Sequence, residues 1–241
     1  MELVKGKVTK AEVVSDRRLD EAGLAFASLE LAKREPAFSR VLDLYNVPPL
    51  WERPSGFATL LQIILEQQVS LASAKACYDK LEAHLGNISP TTVLSLTDAE
   101  LKKVGFSRQK TSYARNLSRQ IEGDQLDLAG LHTLSDAEAK AELKKVKGIG
   151  EWTSDIYLLM AMLRPDIMPR GDIALHSAWQ TLSGGEILSA DAFVAMAERW
   201  TPYRSVAARF LWHFYLEEKK IGKKRNLEQN IANGSEVEGI Q

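Results

Sequence analysis

The segment Leu143–Trp152 combines two glycines with several lysines at the junction of two helical patterns. The run Gly148-Ile149-Gly150 can turn tightly and present backbone N–H groups without a Cβ in the way. Those groups would lie at the start of the next helix, where the dipole and the unsatisfied donors favour an anion. A phosphate therefore fits this turn, although Gly-x-Gly alone more often just joins two helices. Four lysines surround it: Lys140, Lys144, Lys145 and Lys147.

A second candidate is Asp172, twenty residues after Trp152 in the run Arg-Gly-Asp-Ile-Ala-Leu. Pro165 ends the helical pattern that begins near Trp152, and the extended residues 166–171 are long enough to bring the chain back towards the turn. Apolar neighbours could desolvate the carboxylate there. The alternative is that Asp172 only caps the next helix. One side chain can do both.

The elements that must position these residues are helices. Apolar residues recur at helical spacing from Leu19 onward, and Pro- and Gly-containing breakers separate segments of about 10–15 residues. Thr97-Asp98-Ala99-Glu100 and Ser135-Asp136-Ala137-Glu138 both read as capping boxes. The pattern predicts an all-α protein. Residues 1–20 are the exception, since they fit a short strand or an extended arm.

The hairpin segment also has a weak internal echo. The run Leu101-Lys102-Lys103-Val104-Gly105-Phe106 resembles the residues from Leu143 to Gly150, and both lead into helices. A duplicated structural device and chance similarity are both compatible with this pattern.

Composition narrows the class of protein. The chain has 241 residues, 45% of them hydrophobic, and 31 Lys and Arg against 32 Asp and Glu. This is a globular composition without a global charge bias, so any attraction to nucleic acid must be local. A single cysteine, Cys77, excludes an intrachain disulfide and a cysteine-ligated iron–sulfur cluster. The first residues lack the apolar centre of a signal peptide, and a cytoplasmic location is expected.

The motifs together resemble the helix-hairpin-helix DNA glycosylases, most closely their DNA-3-methyladenine glycosylase II branch. The hairpin with Asp172 carries the main similarity. Three further stretches agree with that branch, and the resemblance covers about residues 40–217. These stretches are Ile63-Ile64-Leu65-Glu66-Gln67-Gln68-Val69-Ser70, the looser hairpin Val104-Gly105-Phe106-Ser107-Arg108-Gln109-Lys110, and Trp200-Thr201-Pro202-Tyr203-Arg204-Ser205 with Leu211-Trp212.

The resemblance implies an all-α fold with two helical subdomains flanking an active-site cleft. It divides the chain into an N-terminal arm and first helix (1–45), a glycosylase core (46–217) and a charged tail (218–241). The tail is expected to be frayed. Double-stranded DNA with alkylated bases would be the partner, in the nucleoid or in a nucleus. No heptad repeat appears, and a monomer is expected.

By the same resemblance, Asp172 is the catalytic aspartate of an enzyme that hydrolyses the N-glycosidic bond of 3-methyladenine or 7-methylguanine. Related bifunctional enzymes carry a nucleophilic lysine where this chain has Trp152, so a monofunctional enzyme without lyase activity is expected. Trp152 and Trp212 match aromatic residues that line the base pocket, and Tyr157 is a further wall, in competition with Ile156. Trp51, Trp179 and Trp200 are expected in the core.

DNA contacts are implied at two places. The hairpin would hold the backbone through Gly148, Gly150 and Trp152, helped by Thr153 and Lys147. Gln68 would fill the gap left by the flipped nucleotide, with Ser70 nearby, although a plain polar helix end is equally compatible. Glu66 departs from the glycine often seen there. A basic rim is expected from Lys102, Lys103, Arg108, Lys110, Lys144, Lys145 and Lys147.

No cofactor is required, but family hairpins often hold a structural Na⁺ or K⁺ through main-chain carbonyls, here those of Lys144, Val146 and Ile149. Two other functions stay open. One is a glycosylase for neutral damaged purines, such as deaminated bases or cyclic adducts. The other is a non-catalytic protein that only binds DNA, for which neither Asp172 nor the two indoles would be needed.

Overall fold

The structure is a computed structural model that describes the backbone of residues 18–235 and the side chains of residues 18–222. These residues form helices and connecting turns without a β-strand, which confirms the all-α prediction. Residues 1–17, which include most of the predicted N-terminal arm, lie outside the described residues. The α-helices are α1 (Glu21–Arg34), α2 (Pro36–Tyr45), α3 (Phe57–Glu66), α4 (Leu71–Leu85), α5 (Pro90–Ser95), α6 (Asp98–Lys103), α7 (Arg108–Glu122), α8 (Asp136–Lys144), α9 (Glu151–Met160), α10 (Ile173–Ser183), α11 (Ala190–Ala197) and α12 (Arg204–Ser235).

Two short 3₁₀ turns, Gly130–Thr133 and Glu198–Trp200, complete the regular structure. The final helix does not end at the predicted boundary of the tail. Instead, α12 continues as far as Ser235, and residues 236–241 lie outside the described part. Within the described residues, every helix is too short or too polar to cross a lipid bilayer.

Local sequence accounts for many helix starts. Thr97 and Ser135 form the two capping boxes predicted above, with Glu100 and Glu138 reaching back to the cap backbone. The hydroxyls of Ser70 and Ser107 likewise accept hydrogen bonds from the first turns of α4 and α7. Each of these contacts joins residues no more than three positions apart. The local sequence is therefore sufficient to specify where these helices begin.

Contacts between the described residues divide them into two compact units, and the domain boundaries expected at residues 45 and 217 stay predictions. The first unit joins the described residues up to Asp20 with Trp51–Arg170, and the second joins Glu21–Leu50 with the described residues from Gly171 onward.

In the first unit, α3 is the central helix and packs against α4, α7 and α9. Leu60, Leu61, Ile63 and Ile64 are all fully buried, so the helix is apolar around most of its circumference. It begins after Gly56, whose N–H donates a hydrogen bond to the Tyr157 hydroxyl at 2.9 Å. This hydrogen bond joins the start of α3 to α9, and α3 ends at Glu66, just before the Gln-Gln pair.

In the second unit, α12 packs against α1, α2 and α10 around an aromatic core. The ring centroids of Phe38 lie 5.0 Å from those of Trp200 and Phe210, and Trp179 lies 5.1 Å from Trp200. Trp179 and Trp200 are buried, as predicted. Trp51, in the first unit, is only half-buried.

Candidate functional site

The predicted hairpin is formed by α8, α9 and the turn between them. The N–H of Lys145 donates to the Glu142 carbonyl at 3.2 Å and that of Val146 to Leu143 at 3.1 Å, which ends α8. Ile149 then donates to Val146 at 3.0 Å, and α9 begins at Glu151. The turn is thus closed by its own backbone.

Within this turn, Gly148 cannot be replaced by another amino acid without strain. Its φ of 104° lies in a region that side chains avoid. A Cβ at this position would lie 2.4 Å from Cγ of Tyr113 on α7, far inside van der Waals contact. The Tyr113 hydroxyl is in turn held by Gln109, whose Nε2 donates to it at 2.8 Å. The hairpin therefore lies directly against α7.

The N-terminus of α9 is left without a side-chain cap. Gly150 stands at the N-cap position, where it cannot supply an acceptor, and it is exposed. An uncapped helix start combines oriented N–H donors with the positive end of the dipole. This arrangement can bind an anion such as a phosphate of the DNA backbone.

Ion pairs neutralise most of the lysines around the turn. Lys140 contacts Glu151 at 2.6 Å and buried Asp155 at 2.7 Å, and Lys144 also pairs with Glu151. The hydrogen bonds from Lys140 and Lys144 lower the pKa of Glu151 to about 2. Burial raises the pKa of Asp155 although Lys140 opposes the shift.

The outer lysines of the hairpin differ from one another. Lys145 pairs with Glu142 at 2.6 Å. Lys147 is exposed, and it forms no ion pair with the described residues. The basic rim of the hairpin is therefore narrower than the sequence suggested, with Lys147 as its available charge.

Two residues expected at the site face the interior instead. Thr153, expected to help hold the DNA backbone, is 2% exposed, and its Oγ1 accepts a hydrogen bond inside the unit. Tyr157, expected to line the base pocket, is fully buried and accepts the Gly56 N–H. Its neighbour Ile156 is buried as well. All three sit on faces of α9 that pack into the unit, and the roles predicted for Thr153 and Tyr157 stay predictions.

The partner of Thr153 is Gln67, which is not among the predicted site residues. The Nε2 atom of Gln67 lies 2.8 Å from the Gly148 carbonyl oxygen and 2.8 Å from Thr153 Oγ1. The Gln-Gln-Val-Ser motif predicts DNA contacts at this helix end for Gln68 and Ser70, but not for Gln67. Nothing in the local sequence shows that the first glutamine faces the hairpin.

The turn after α3 presents the second predicted contact region. Gln68 is exposed and has a φ of 56°, a conformation unusual for a residue with a Cβ. Ser70 is exposed too, but its hydroxyl accepts the Ser73 N–H as the cap of α4. Glu66, which replaces the usual glycine, forms a largely buried ion pair with Arg53 at 3.0 Å.

Asp172 lies in the second unit and is 8% exposed. Its Oδ1 accepts the N–H groups of Ala174 at 3.0 Å and Leu175 at 3.1 Å, so it does cap α10. The same oxygen also accepts the indole N–H of Trp212, from α12, at 3.3 Å. Three donors from two helices thus orient one nearly buried carboxyl group, which is more than a cap requires.

The predicted site residues therefore form two groups. Gly148, Gly150, Lys147 and half-buried Trp152 belong to the hairpin of the first unit, together with Gln67. Asp172 and Trp212 are hydrogen-bonded within the second unit.

Comparison with known proteins assigns the fold. A family model described as the HhH-GPD superfamily base excision DNA repair protein matches residues 61–200, more than half of the chain. The chain belongs to the HhH-GPD superfamily. The matched range contains the hairpin, the Gln-Gln pair and Asp172, and it ends before Trp212.

Individual HhH-GPD proteins are similar along most of this chain. YfjP of Bacillus subtilis, assigned to the DNA-3-methyladenine glycosylases, is 27% identical over 73% of this chain and 64% of its own length. The crystal structure of a DNA-3-methyladenine glycosidase from Bacillus halodurans has a TM-score of 0.68 at 25% identity, covering 83% of this chain and 92% of that one. A Schizosaccharomyces pombe 3-methyladenine DNA glycosylase, Mag1, in complex with abasic DNA, gives 0.69 at 22% identity, covering 78% and 95%.

Proposed function

We propose that the protein is a monofunctional DNA glycosylase of base excision repair that removes alkylated purines, with Asp172 as its catalytic carboxylate. The observation that carries this proposal is the Asp172 environment. A nearly buried carboxyl group receives three N–H donors at 3.0–3.3 Å on one oxygen, from the start of α10 and from Trp212. The superfamily assignment and the 3-methyladenine glycosylases among the relatives support the reaction class.

The chemistry explains why a single carboxylate suffices. A purine such as 3-methyladenine or 7-methylguanine is already cationic, so it leaves as a neutral base without protonation by a strong acid. The sugar then develops positive charge, as in other glycosidic cleavages. A carboxylate already oriented in a water-poor environment stabilises that charge without reorganisation. Asp172 would also orient the water that completes the hydrolysis.

The absence of lyase activity is part of the proposal. Position 152 of the hairpin holds an indole, which cannot form a Schiff base with the sugar. The product would be an intact strand with an abasic site. Borohydride trapping tests this directly, because a covalent adduct between the protein and lesion DNA would contradict the proposal.

The hairpin would hold the DNA backbone. The uncapped start of α9 and the exposed Lys147 provide donors and charge for a phosphate.

The carbonyl oxygens of Lys144 and Ile149 accept no backbone hydrogen bond from the described residues, and Val146 accepts one, from Ile149. These oxygens would be the ligands of a Na⁺ or K⁺ ion, which would stiffen the turn and add positive charge near the phosphate.

Neutral damaged purines are the alternative substrates within the same reaction class. Their leaving group needs a proton or strong hydrogen bonds, because the base carries no charge of its own. A protein that only binds DNA is disfavoured by the Asp172 environment, since phosphate binding does not use a buried carboxylate.

The test is base release from methylated duplex DNA by the wild type and by Asp172→Asn, with 3-methyladenine and 7-methylguanine resolved. Asparagine is also a good helix cap, so α10 should persist. The rate should fall by about 100-fold or more, because the stabilising negative charge is lost. Duplex binding should change little.

A matched control is Ser189→Ala, which removes the cap of α11 in the same unit without touching Asp172. It should keep the wild-type rate. Equal single-turnover rates for wild type and Asp172→Asn would refute the catalytic role. Release of a deaminated purine from a second duplex, with neither methylated base released from the first, would select the alternative substrates.

A further inference from the structure

Gln67 connects the two turns that the proposed function places on DNA. It is the residue immediately after α3, half-buried, and its neighbour Gln68 is exposed with a positive φ. Its side chain reaches 81 positions along the sequence to the Gly148 carbonyl and 86 positions to Thr153 Oγ1. The side-chain amide thereby donates both of its N–H groups to the hairpin. One goes to the turn, at Gly148, and the other to the first turn of α9, at Thr153.

These two contacts lie beside the uncapped start of α9, which is the part of the hairpin that would bind an anion. The Gly148 carbonyl belongs to the peptide that precedes Ile149, two residues before the uncapped helix start. Thr153 is the third residue of α9, and its side chain is buried beside the N–H groups of the first turn. On the other side, Tyr113 contacts Gly148 where a Cβ would stand. The turn is therefore held between α7 and Gln67.

We propose that Gln67 is a positioning residue that holds the phosphate-binding hairpin in register with the exposed turn 67–70, so that both contact DNA as one rigid element. This inference rests on the proposed function. It names a residue for DNA binding that touches no DNA itself and acts through Gly148 and Thr153.

Gln67 preorganises the two turns before DNA binds. Two turns that must contact neighbouring parts of the same backbone bind more tightly when their relative position is fixed before binding. A single amide with two donors fixes both distance and direction. Methionine has nearly the same length and can fill the same space, but it has no N–H, so it removes only the hydrogen bonds.

The experiment compares Gln67→Met with Gln62→Met. Gln62 lies on the same helix and is also half-buried, and no hydrogen bond joins it to the hairpin in the described residues. Affinity for an undamaged duplex is measured by fluorescence anisotropy between 50 and 200 mM salt, a range of about fourfold over which phosphate contacts weaken binding strongly. Temperatures stay well below the melting point of each variant.

Gln67→Met should weaken binding about tenfold, as loss of one well-placed backbone contact would. The slope of log K against log salt should fall by up to about one, because the displaced turn carries exposed Lys147 away from its phosphate. Gln62→Met should match the wild type in both. A merely structural role of Gln67 would lower the melting point without changing the slope. A wild-type slope for Gln67→Met would therefore overturn the proposal.

Thr153→Val provides a second variant should Gln67→Met fold poorly, since it removes the acceptor and keeps the shape. It should weaken binding by about threefold, because one of the two Gln67 hydrogen bonds is lost and the one to Gly148 is kept. The double variant should bind no more weakly than Gln67→Met alone, because the two residues act through one contact. Additive losses, or unchanged binding by Thr153→Val, would refute the proposal.

The failure of this inference and of the proposed function can be told apart. Binding to undamaged DNA is measured without base release, so it reports on Gln67 even if no methylated base is excised. Conversely, excision that depends on Asp172 would stand even if Gln67→Met bound DNA like the wild type.

Discussion

The two hairpins of the first unit have a similar backbone conformation in their turns. They differ in how the second helix of each hairpin begins. In the α6–α7 hairpin, Gly105 has a φ of 107°, and in the α8–α9 hairpin, Gly148 has a φ of 104°. Each glycine is followed by a buried apolar residue, Phe106 or Ile149. The similarity noticed in the sequence is therefore a similarity of turn geometry.

The difference lies at the next position. Ser107 caps α7 by accepting the Lys110 N–H, whereas Gly150 gives α9 no cap. A Cβ on Gly105 would lie 3.4 Å from Cys77 Sγ, an ordinary contact, whereas one on Gly148 would overlap Tyr113. One hairpin closes its own helix end, while the other is packed tightly and keeps its helix end available to a ligand. A shared turn does not imply a shared function.

The largest effect is expected when alanine replaces each glycine of the pair. Gly148→Ala meets both positive-φ strain and overlap with Tyr113, which together cost about 2–4 kcal/mol. Gly105→Ala meets the strain alone, about 1 kcal/mol. Urea unfolding measures both. Only Gly148→Ala should also weaken DNA binding, and equal losses of stability would show that the two turns are equivalently packed.

Exchanging the caps should have an intermediate effect. Gly150→Ser places an acceptor at the start of α9, where nothing lies within 4 Å of the new Cβ. Stability should rise by a few tenths of a kcal/mol, roughly the difference between serine and glycine caps. Affinity for duplex DNA should fall, because the serine hydroxyl competes with the phosphate for the same N–H groups.

The reciprocal change, Ser107→Gly, is the control for that exchange. It should cost a few tenths of a kcal/mol and leave DNA affinity unchanged. If Gly150→Ser bound DNA as tightly as the wild type, the start of α9 would not be the phosphate site.

The smallest effect is expected from single lysines of the second hairpin. Lys147→Ala should lower the salt slope of DNA binding by about one, because this exposed lysine is available to a phosphate. Lys145→Ala should change it less, since Lys145 already pairs with Glu142 at 2.6 Å. Anisotropy titrations at several salt concentrations measure both slopes. A larger effect from Lys145 would show that the ion pair opens on DNA.

Sequence reasoning succeeded where the interaction is local. The capping boxes at Thr97 and Ser135, the turn at Gly148 and the cap at Asp172 all depend on residues within a few positions. It was less successful for side chains on α9. The family resemblance placed Thr153 and Tyr157 at the site by their positions in the motif, but motif position does not show which face of α9 packs inward, and both side chains are buried.

The sequence by itself determined the helices, the hairpin turn and the carboxylate at the start of α10, because backbone conformation and helix capping depend on neighbours in the chain. Only the tertiary structure showed that Trp212, forty positions away, hydrogen-bonds to Asp172. Likewise, only the structure joined Gln67 to Gly148 and paired Lys140 with Asp155. Such contacts depend on how helices pack, and packing direction is set by the whole core, which no short stretch of sequence encodes.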